Sequence, residues 1–254
     1  MWDPTTYLRF TDQRSRPFHD LLARVDLRSP RAIVDLGCGP GHLTGLLAQR
    51  WPDAQLLGID SDPAMIARAQ ADHPGLNFRQ VDVRDWQPGT TDDLIVTNAV
   101  LQWVPEHVEL LLRWTRQLSA GATIACQVPA NHDSPAHRLL RELAVSYGAP
   151  TDRRAVPTPE QYARTLTAAG CAVDAWETSY LHVLPADGPH HPVLSWLEGT
   201  GLLPVRATLD DACWEQYRDN LGERLATEYP VIDGMVYYPF RRVFVVARTG
   251  AGQH

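Results

Sequence analysis

A glycine-rich stretch at residues 34–41 constrains this 254-residue chain more than any other part of it. An apolar run typical of a buried strand ends in glycines at every second position, 37, 39 and 41, and a helical pattern of apolar residues follows. A second apolar run then ends at Asp60. This order of strand, glycine turn, helix and strand predicts a nucleotide-binding βαβ unit, and it favours an enzyme.

The glycine turn has a definite chemistry. Glycines allow tight turns and bring backbone N–H groups close to a ligand at a helix N-terminus, whose partial positive charge favours a carboxylate or phosphate. A dinucleotide-binding turn needs its third glycine where this chain has His42, so the NAD spacing fails. Asp60 stands where a carboxylate can accept both hydroxyls of a ribose. Taken singly, Gly37 could be a strand-end turn and Asp60 a cap of the helix at Pro63, but together they favour a nucleotide.

The charge balance restricts the partners. The formal net charge is −7 and every basic residue other than histidine is arginine. An acidic chain argues weakly against a nucleic-acid partner, because phosphate binding normally needs a concentrated basic face. The absence of lysine is consistent with a coding bias, but it also means that any anion site must use the bidentate guanidinium, which suits carboxylates.

The overall composition is that of a globular protein, with 44% hydrophobic and 21% charged residues. We find no apolar run of about 18 residues that could span a membrane and no secretory leader pattern, so we expect a cytoplasmic protein. The four cysteines lack metal-ligand spacing and are predicted to be reduced thiols of the core. His190 and His191 have no third ligand at metal spacing, so we predict a loop there and no metal site.

The remaining chain alternates strands and helices. Continuous apolar strands separated by helices predict a parallel sheet that is covered on both faces. The predicted strands are 32–36, 55–60, 77–81, 93–98, 122–129, 171–184 and 242–247. The predicted helices are 17–25, 42–50, 63–72, 106–118, 135–147, 159–169 (with Gly170 as its C-cap), 193–200 and 210–228. We expect one domain over 1–254, in which an N-terminal helical segment, 1–30, and a helical insertion at about 185–239 cover the active site.

The two motifs D-L-G-C-G-P-G and G-I-D-S-D-P resemble those of class I S-adenosylmethionine-dependent methyltransferases. The resemblance implies a Rossmann-like α/β fold with a seven-stranded, mostly parallel sheet, an antiparallel last strand, and S-adenosyl-L-methionine as the cofactor. In that family the glycine loop surrounds the methionine part of the cofactor, and the acid after the second strand binds the ribose.

The resemblance extends to the later strands. Asp82 follows the third strand, where the family places an acid for the adenine amino group, and Asn98 ends the fourth, near the methionine moiety and methyl group. A helix cap or an ordinary strand-end turn would leave the same pattern. Arg16 could meet either the cofactor's carboxylate or the substrate. The predicted cofactor-binding residues are Arg16, Asp35, Gly37, Gly39, Gly41, Asp60, Ser61, Met65, Asp82, Val83 and Asn98.

The methyl acceptor is indicated by what the chain lacks and what it contains. The sequence Asn-Ala-Val-Leu at 98–101 differs from the N-P-P-Y/F pattern of amide and adenine methylases. A carboxylate is already ionised near pH 7 and needs no base, whereas amine and phenol acceptors usually do. A carboxylate methyltransferase would instead hold arginines, tyrosines and histidines that orient the anion. We therefore predict substrate-positioning residues and no certain catalytic residue.

Segments outside the general fold narrow the resemblance. Residues 2–4, 7–10, 14–17, 99–105 and 238–248 resemble the trans-aconitate methyltransferase subfamily. This implies methyl transfer to a carboxylate of trans-aconitate, which gives a monomethyl ester and S-adenosylhomocysteine. The alternatives are another small carboxylic acid or natural product as acceptor, or a non-catalytic module that binds the cofactor. We expect no nucleic-acid or membrane partner, and a monomer or weak oligomer.

A tricarboxylate needs cationic partners for the two carboxylates that are not methylated. We predict a clamp formed by Arg206, Arg241 and Arg242, helped by one of three tyrosines, Tyr180, Tyr237 or Tyr238. We predict that Trp103 and His19 line the entrance. Each of these assignments competes with an ordinary surface or core role, since an arginine is usually solvated and a lone tryptophan usually packs in a core.

Overall fold

The fold is described from a computed structural model, which describes residues 11–151 and 155–250. Strands lie at Ala32–Leu36 (β1), Gln55–Asp60 (β2), Asn77–Gln80 (β3), Asp92–Asn98 (β4), Thr123–Pro129 (β5), Cys171–Pro185 (β6) and Met235–Thr249 (β7). Helices lie at Thr11–Ala23 (α1), His42–Arg50 (α2), Pro63–Asp72 (α3), His107–Gln117 (α4), Pro135–Ser146 (α5), Pro159–Ala168 (α6), Pro192–Glu198 (α7), Leu203–Arg206 (α8) and Asp211–Glu228 (α9).

The strands form one seven-stranded sheet in the order β3-β2-β1-β4-β5-β7-β6. The pairs β2–β3, β1–β2, β1–β4 and β4–β5 are parallel, and β5–β7 is antiparallel. All five residues of β1 are buried, as expected of a central strand covered on both faces. The predicted α/β sheet with its antiparallel last strand is therefore confirmed.

Local signals explain where several helices begin. Asp62 accepts a hydrogen bond from Ala64 N at the start of α3, and Ser134 caps α5 in the same way through His137 N. Thr158 and Gln161 form a capping box at α6, and a proline occupies the first turn of all three helices. These caps account for the close agreement between predicted and observed helix starts.

The sequence prediction differs from the structure in four places. Helix α1 begins at Thr11, before the predicted start at residue 17, so that Pro17 lies in the interior of the helix. Strand β7 begins at Met235, inside the range assigned to the helical insertion, because residues 235–240 alternate between exposed and buried and only 242–247 is continuously apolar. The short helix α8 and a 3₁₀ turn at Leu101–Trp103 were not predicted.

The chain divides into two compact units. The first, called here the sheet unit, comprises residues 11–129, 157–177 and 242–250 among those described. It contains β1 to β5 and the helices between them. That the N-terminal segment and the insertion cover the active site stays a prediction, and residues 1–10 lie outside the described part of the chain.

The second unit, called here the helical unit, comprises residues 130–151, 155–156 and 178–241 among those described. Its core is aromatic and aliphatic, with Trp196, Tyr217 and Tyr238 buried among leucines of α5, α7 and α9. Tyr217 donates to the carbonyl of Leu140 at 2.9 Å, which ties α9 to α5. Among the residues that the structure describes, we find no helix with the length and apolar character of a membrane span.

Candidate active site

The glycine turn follows β1 with all three glycines in the left-handed region, at φ of 74°, 55° and 84° for Gly37, Gly39 and Gly41. L-residues with side chains rarely adopt this conformation, so the turn requires glycine. The N–H groups of Gly37 and Cys38 both donate to the carbonyl of Ile59, at 2.8 and 2.9 Å. The end of β2 thus fixes the turn through backbone atoms.

The three glycines differ in the space around them. A Cβ on Gly37 would lie 2.2 Å from Val100 Cγ2, and one on Gly41 would lie 2.8 Å from the Phe78 ring. A Cβ on Gly39 would meet nothing within 4 Å. Gly37 and Gly41 therefore serve close packing, while Gly39 faces open space at the middle of the turn.

Asp60 ends β2 and holds the turn with its carboxylate. Its Oδ2 accepts from Gly39 N and its Oδ1 from Asp62 N, both at 2.9 Å. Burial raises the pKa of Asp60, and these backbone hydrogen bonds work against that rise. Each carboxylate oxygen has a second lone pair, so the side chain can still accept hydrogen bonds from a ligand.

Asp35, in β1, is a buried acid beside this site. Its Oδ2 accepts from the Thr44 hydroxyl at 2.6 Å, and the side chain is 2% exposed. Burial raises the pKa of Asp35 to about 6, the Thr44 hydrogen bond opposes this, and the charge of Asp60 adds to it. The two acids therefore make the carboxyl edge of β1 and β2 electronegative, which suits a cationic group.

The segment after β3 joins the same edge, because Val81 N donates to the carbonyl of Asp60 at 3.0 Å. Asp82 is engaged by Arg84, whose Nε and Nη2 lie 2.9 and 2.5 Å from the two carboxylate oxygens. Arg84 lowers the pKa of Asp82, so this acid is ionised at neutral pH. The neighbouring Val83 is buried.

The segment after β4 contains a strained residue. Ala99 has φ of 58°, a conformation that costs a non-glycine residue about 1–3 kcal/mol and often occurs at functional sites. Its N–H donates to the carbonyl of Gln127 at 2.9 Å, and its carbonyl accepts from Gln102 Nε2 at 2.7 Å. The buried Oδ1 of Asn98 has no hydrogen-bond partner within the described residues. This edge therefore offers a preformed polar position.

Strand β5 adds a buried pair of polar side chains. Gln127 is 0% exposed and Arg242, on β7, is 3% exposed, and Arg242 Nη1 donates to Gln127 Oε1 at 3.0 Å. In the sheet register Asn98 pairs with Gln127, while Arg242 pairs with Pro129, two residues further along β5. Because side chains of a strand alternate between faces, Asn98, Gln127 and Arg242 lie on one face of the sheet.

The turn and the strand ends around it fit an S-adenosylmethionine-type cofactor in three respects. Open space lies at Gly39, spare acceptor capacity remains on Asp60, and the buried oxygen of Asn98 lacks a partner in the described part of the chain. Ligands of open α/β sheets bind outside the carboxyl ends of the strands, which is where these groups lie.

Comparison with known proteins places this chain in a family. A family model described as "Methyltransferase domain" matches residues 7–175. The chain is 50% identical to a protein from Rhodococcus jostii (strain RHA1) named "Trans-aconitate 2-methyltransferase", over 98% of this chain and 99% of that protein. It is 49% identical to a protein of the same name from Mycobacterium sp. (strain KMS), over 98% of this chain and all of the relative.

The chain belongs to the trans-aconitate 2-methyltransferase family.

A solved structure supports the fold of this family member. The YcgJ protein of Bacillus subtilis matches with a TM-score of 0.61 at 13% identity, covering 92% of this chain and 100% of the other. An identity this low is evidence for the fold alone.

In this member of the trans-aconitate 2-methyltransferase family, the structure brings together most of the predicted cofactor residues. Asp35, the three glycines, Asp60 and Asn98 lie at the carboxyl edge of β1, β2 and β4. Ser61 is exposed and its carbonyl accepts from Gln80, and Met65 is buried in α3. Arg16 and His19 are exposed on α1, and Trp103 is 44% exposed in the 3₁₀ turn. Their roles toward a ligand stay predictions.

The predicted substrate residues fall into different environments. In the sheet unit, Arg242 is buried against Gln127. In the helical unit, Arg206 is exposed, forms an ion pair with Asp211 at 2.6 Å and lies 5.5 Å over the Trp214 ring. Arg241 is also exposed, and its Nε donates to the carbonyl of Ala130 at 3.0 Å. The three arginines are therefore not equivalent.

The three predicted tyrosines also differ. Tyr180 and Tyr238 are buried, whereas Tyr237 is 43% exposed. The hydroxyl of Tyr238 has no hydrogen-bond partner in the portion of the chain that the structure describes, and burial raises the pKa of Tyr238. Burial makes Tyr238 part of the helical unit's core, and its hydroxyl oxygen is its one unsatisfied group.

Two residues near the site were not predicted. Gln127 interrupts a buried apolar strand, and that interruption was the available signal. His107 bridges the carbonyl of Val104, at 2.8 Å, and the hydroxyl of Tyr162, at 2.7 Å. Burial lowers the pKa of His107, so the neutral imidazole holds the end of the Trp103 segment. A histidine at a helix start gave no distinguishing sequence signal.

Three cysteines, Cys38, Cys126 and Cys171, are buried and Cys213 is partly exposed. Burial raises the pKa of all three buried thiols. The thiol form is therefore favoured at neutral pH, which fits the predicted core role of these residues.

Proposed function

We propose that this chain transfers a methyl group from S-adenosyl-L-methionine to a carboxylate of trans-aconitate, giving the monomethyl ester and S-adenosylhomocysteine. The name of its near-full-length relatives supports trans-aconitate as the methyl acceptor. The polar groups at the carboxyl ends of β1, β2 and β4 support S-adenosyl-L-methionine as the methyl donor. The observation that carries the proposal is Arg242, a buried guanidinium on the sheet face that also bears Asn98.

The donor residues act mainly through backbone geometry. Asp60 would accept the ribose hydroxyls with its remaining lone pairs while it keeps Gly39 and Asp62 in place. The electronegative pair of Asp35 and Asp60 would stabilise the positive charge of the methionine moiety. When bound, the cofactor supplies an electrophilic methyl group on a sulfonium.

The acceptor side needs orientation rather than proton transfer. A carboxylate is ionised at neutral pH, so no base must be placed beside its attacking oxygen. Arg242 would hold one of the carboxylates that do not react, and this fixes the angle at which the reacting oxygen approaches the methyl carbon. Arg242 would thus hold the acid in place, while Asp60 and the glycine turn would hold the cofactor that supplies the methyl group.

The remaining assignments are part of the same proposal. Arg206 and Arg241, with Tyr180, Tyr237 or Tyr238, would bind the acid's other carboxylate, and Trp103 and His19 would border its entrance. Because Arg206 already has Asp211 as a partner, its contribution would be smaller than that of Arg242.

A mass-spectrometric assay tests this function. The purified protein is incubated with S-adenosylmethionine and trans-aconitate, and the reaction is expected to give an acid heavier by one methyl group, with an equal amount of S-adenosylhomocysteine. Mild base should return the original acid, because the product is an ester. If S-adenosylhomocysteine binds but no carboxylic acid gains a methyl group, the chain is a non-catalytic module and the proposal is wrong.

A further inference from the structure

Gln127 is a buried amide whose orientation is fixed by its neighbour. It lies in β5, where the six residues from Thr123 to Val128 are all buried. Arginine has donors and no acceptor, so the atom that faces Arg242 Nη1 at 3.0 Å must be the amide oxygen. The Nε2 group therefore points away from Arg242.

That Nε2 group is an unsatisfied donor. It is buried and has no hydrogen-bond partner in the described part of the chain. Buried polar groups are nearly always paired, and each exception calls for an explanation, such as a ligand or a water. The donor is thus available for an acceptor that is supplied from outside the chain.

Gln127 lies beside the strand ends where the methyl-donating cofactor is proposed to bind. Asn98 is its neighbour in the register, and the backbone carbonyl of Gln127 accepts from the strained Ala99. The side chain of Gln127 thus stands beside the strand end that carries the predicted methionine contact. An anion bound here would be close to the reacting groups.

The chemistry of an amide suits this position. Gln127 holds the guanidinium through a neutral oxygen and does not neutralise its positive charge, whereas a glutamate would. The guanidinium and Nε2 are thus two kinds of donor whose side chains lie on one face of the sheet. A planar carboxylate with two acceptor oxygens matches such a pair.

We infer that Gln127 is a specificity-determining residue, which orients Arg242 with Oε1 and donates from Nε2 to an unreacting carboxylate of the acid substrate. This inference rests on the proposed function. It adds Gln127 to the proposed substrate residues and gives a reason why an amide, and not an acid, occupies position 127. The competing explanation is that Gln127 only fixes Arg242 within the core, with a buried water on Nε2.

Replacing Gln127 by glutamate separates these explanations. The Gln127→Glu side chain has nearly the same shape and forms an ion pair with Arg242, so the protein should be stable with unchanged kinetics if both side chains serve only the core and neither contacts the acid. A recognition role predicts a KM for the acid at least about 100-fold higher, because the new charge cancels the guanidinium and repels the substrate. The dissociation constant of S-adenosylhomocysteine should change less than twofold.

Two further variants control the measurement. Gln216→Glu makes the same chemical change at an exposed position of α9 and should leave both constants unchanged. Gln127→Met keeps the volume without donor or acceptor, and it should raise KM by about tenfold. The pH dependence adds a readout that a structural role would not move, since the KM of Gln127→Glu should fall as the pH is lowered and the new carboxyl is protonated, while that of Gln127→Met should not.

The outcomes are distinct. An unchanged KM in Gln127→Glu overturns the inference, and so does a loss of S-adenosylhomocysteine binding equal to the loss of acid affinity. If the wild-type protein methylates no acid, the proposed function has failed, and calorimetric binding of trans-aconitate to the S-adenosylhomocysteine complex then decides the inference. Binding that is weakened by Gln127→Glu supports a carboxylate site, and equal or absent binding in both proteins removes it.

Discussion

The glycine turn of the sheet unit and the arginine region of the helical unit illustrate two ways in which a chain can prepare a site. In the turn, backbone atoms dominate, since the N–H groups of Gly37, Cys38 and Gly39 are all held by the end of β2. At Arg206, a flexible side chain rests on Asp211 and Trp214 at the surface. The glycine turn is preformed, whereas Arg206 would have to exchange its local partners before it could bind a ligand.

The same difference separates Arg242, in the sheet unit, from Arg206, in the helical unit. Arg242 is buried and oriented by Gln127, so it resembles the preformed turn more than it resembles Arg206. A buried, prepositioned guanidinium loses less side-chain entropy on binding than an exposed one. The comparison therefore predicts that the sheet unit contributes most of the affinity for both donor and acceptor, and the following variants test it.

The largest effect is expected at Asp60. Asp60→Ala removes the acceptor of Gly39 N and the proposed ribose contacts, and hydrogen bonds to charged groups contribute about 1.5–3 kcal/mol each. The dissociation constant of S-adenosylhomocysteine, measured by calorimetry, should rise about 100-fold or more. Asp62→Ala is the matched control, because it removes a helix cap beside the site and should change unfolding but not binding. Equal effects of the two variants would show that Asp60 acts only on the fold.

The two arginines come next. Arg242→Ala should raise the KM for the acid about 50-fold or more and leave S-adenosylhomocysteine affinity unchanged, since truncating one partner of a buried, hydrogen-bonded charge costs about 2–5 kcal/mol. Arg206→Ala should raise the same KM less than about fivefold, as is typical of an exposed charge whose neighbour remains. Steady-state kinetics at saturating cofactor measure both. A larger effect of Arg206→Ala would reverse the comparison.

Replacing Gly39 or Gly37 by alanine distinguishes a glycine that faces a ligand from one that is needed for packing. Gly39→Ala fills open space where the cofactor is proposed to lie, so its dissociation constant should rise about tenfold, while the unfavourable backbone conformation lowers stability by about 1–2 kcal/mol. Gly37→Ala must also displace Val100 and should lower the free energy of unfolding by about 2–4 kcal/mol. Urea denaturation and calorimetry distinguish the two. Unaltered binding in a folded Gly39→Ala protein would argue against a ligand at this turn.

The smallest effect concerns pH. The pKa of Asp35 rises from 3.8 to about 6 in the folded protein, so its protonated form stabilises the fold below pH 3.8 and this stability is lost as the pH rises through about 6. Asp35→Asn should therefore gain stability relative to wild type between pH 4 and pH 7. The gain should be about 1 kcal/mol, because loss of the charge-assisted Thr44 hydrogen bond offsets part of it. Urea unfolding across this range gives the difference, and one that does not vary with pH would contradict the assignment.

The same contrast explains what the sequence could predict. The glycine turn was predictable because φ above zero and close packing restrict residue type, and helices α3, α5 and α6 because capping residues mark their starts. The start of β7 was not, since an alternating strand with Pro239 lacks the continuous apolar run that identified its second half. The roles of the arginines depend on burial and on partners distant in sequence, such as Gln127 for Arg242, and no local pattern encodes these.

Acceptor selectivity tests the proposed activity most directly. With saturating S-adenosylmethionine, kcat/KM is measured for trans-aconitate, cis-aconitate, citrate and isocitrate. A site that holds one carboxylate on Arg242 while it presents another to the methyl group should favour one geometry of the acid, so trans-aconitate is expected to exceed each of the others by about tenfold or more. Equal rates for all four acids, or a faster reaction with any of the other three, would contradict the account.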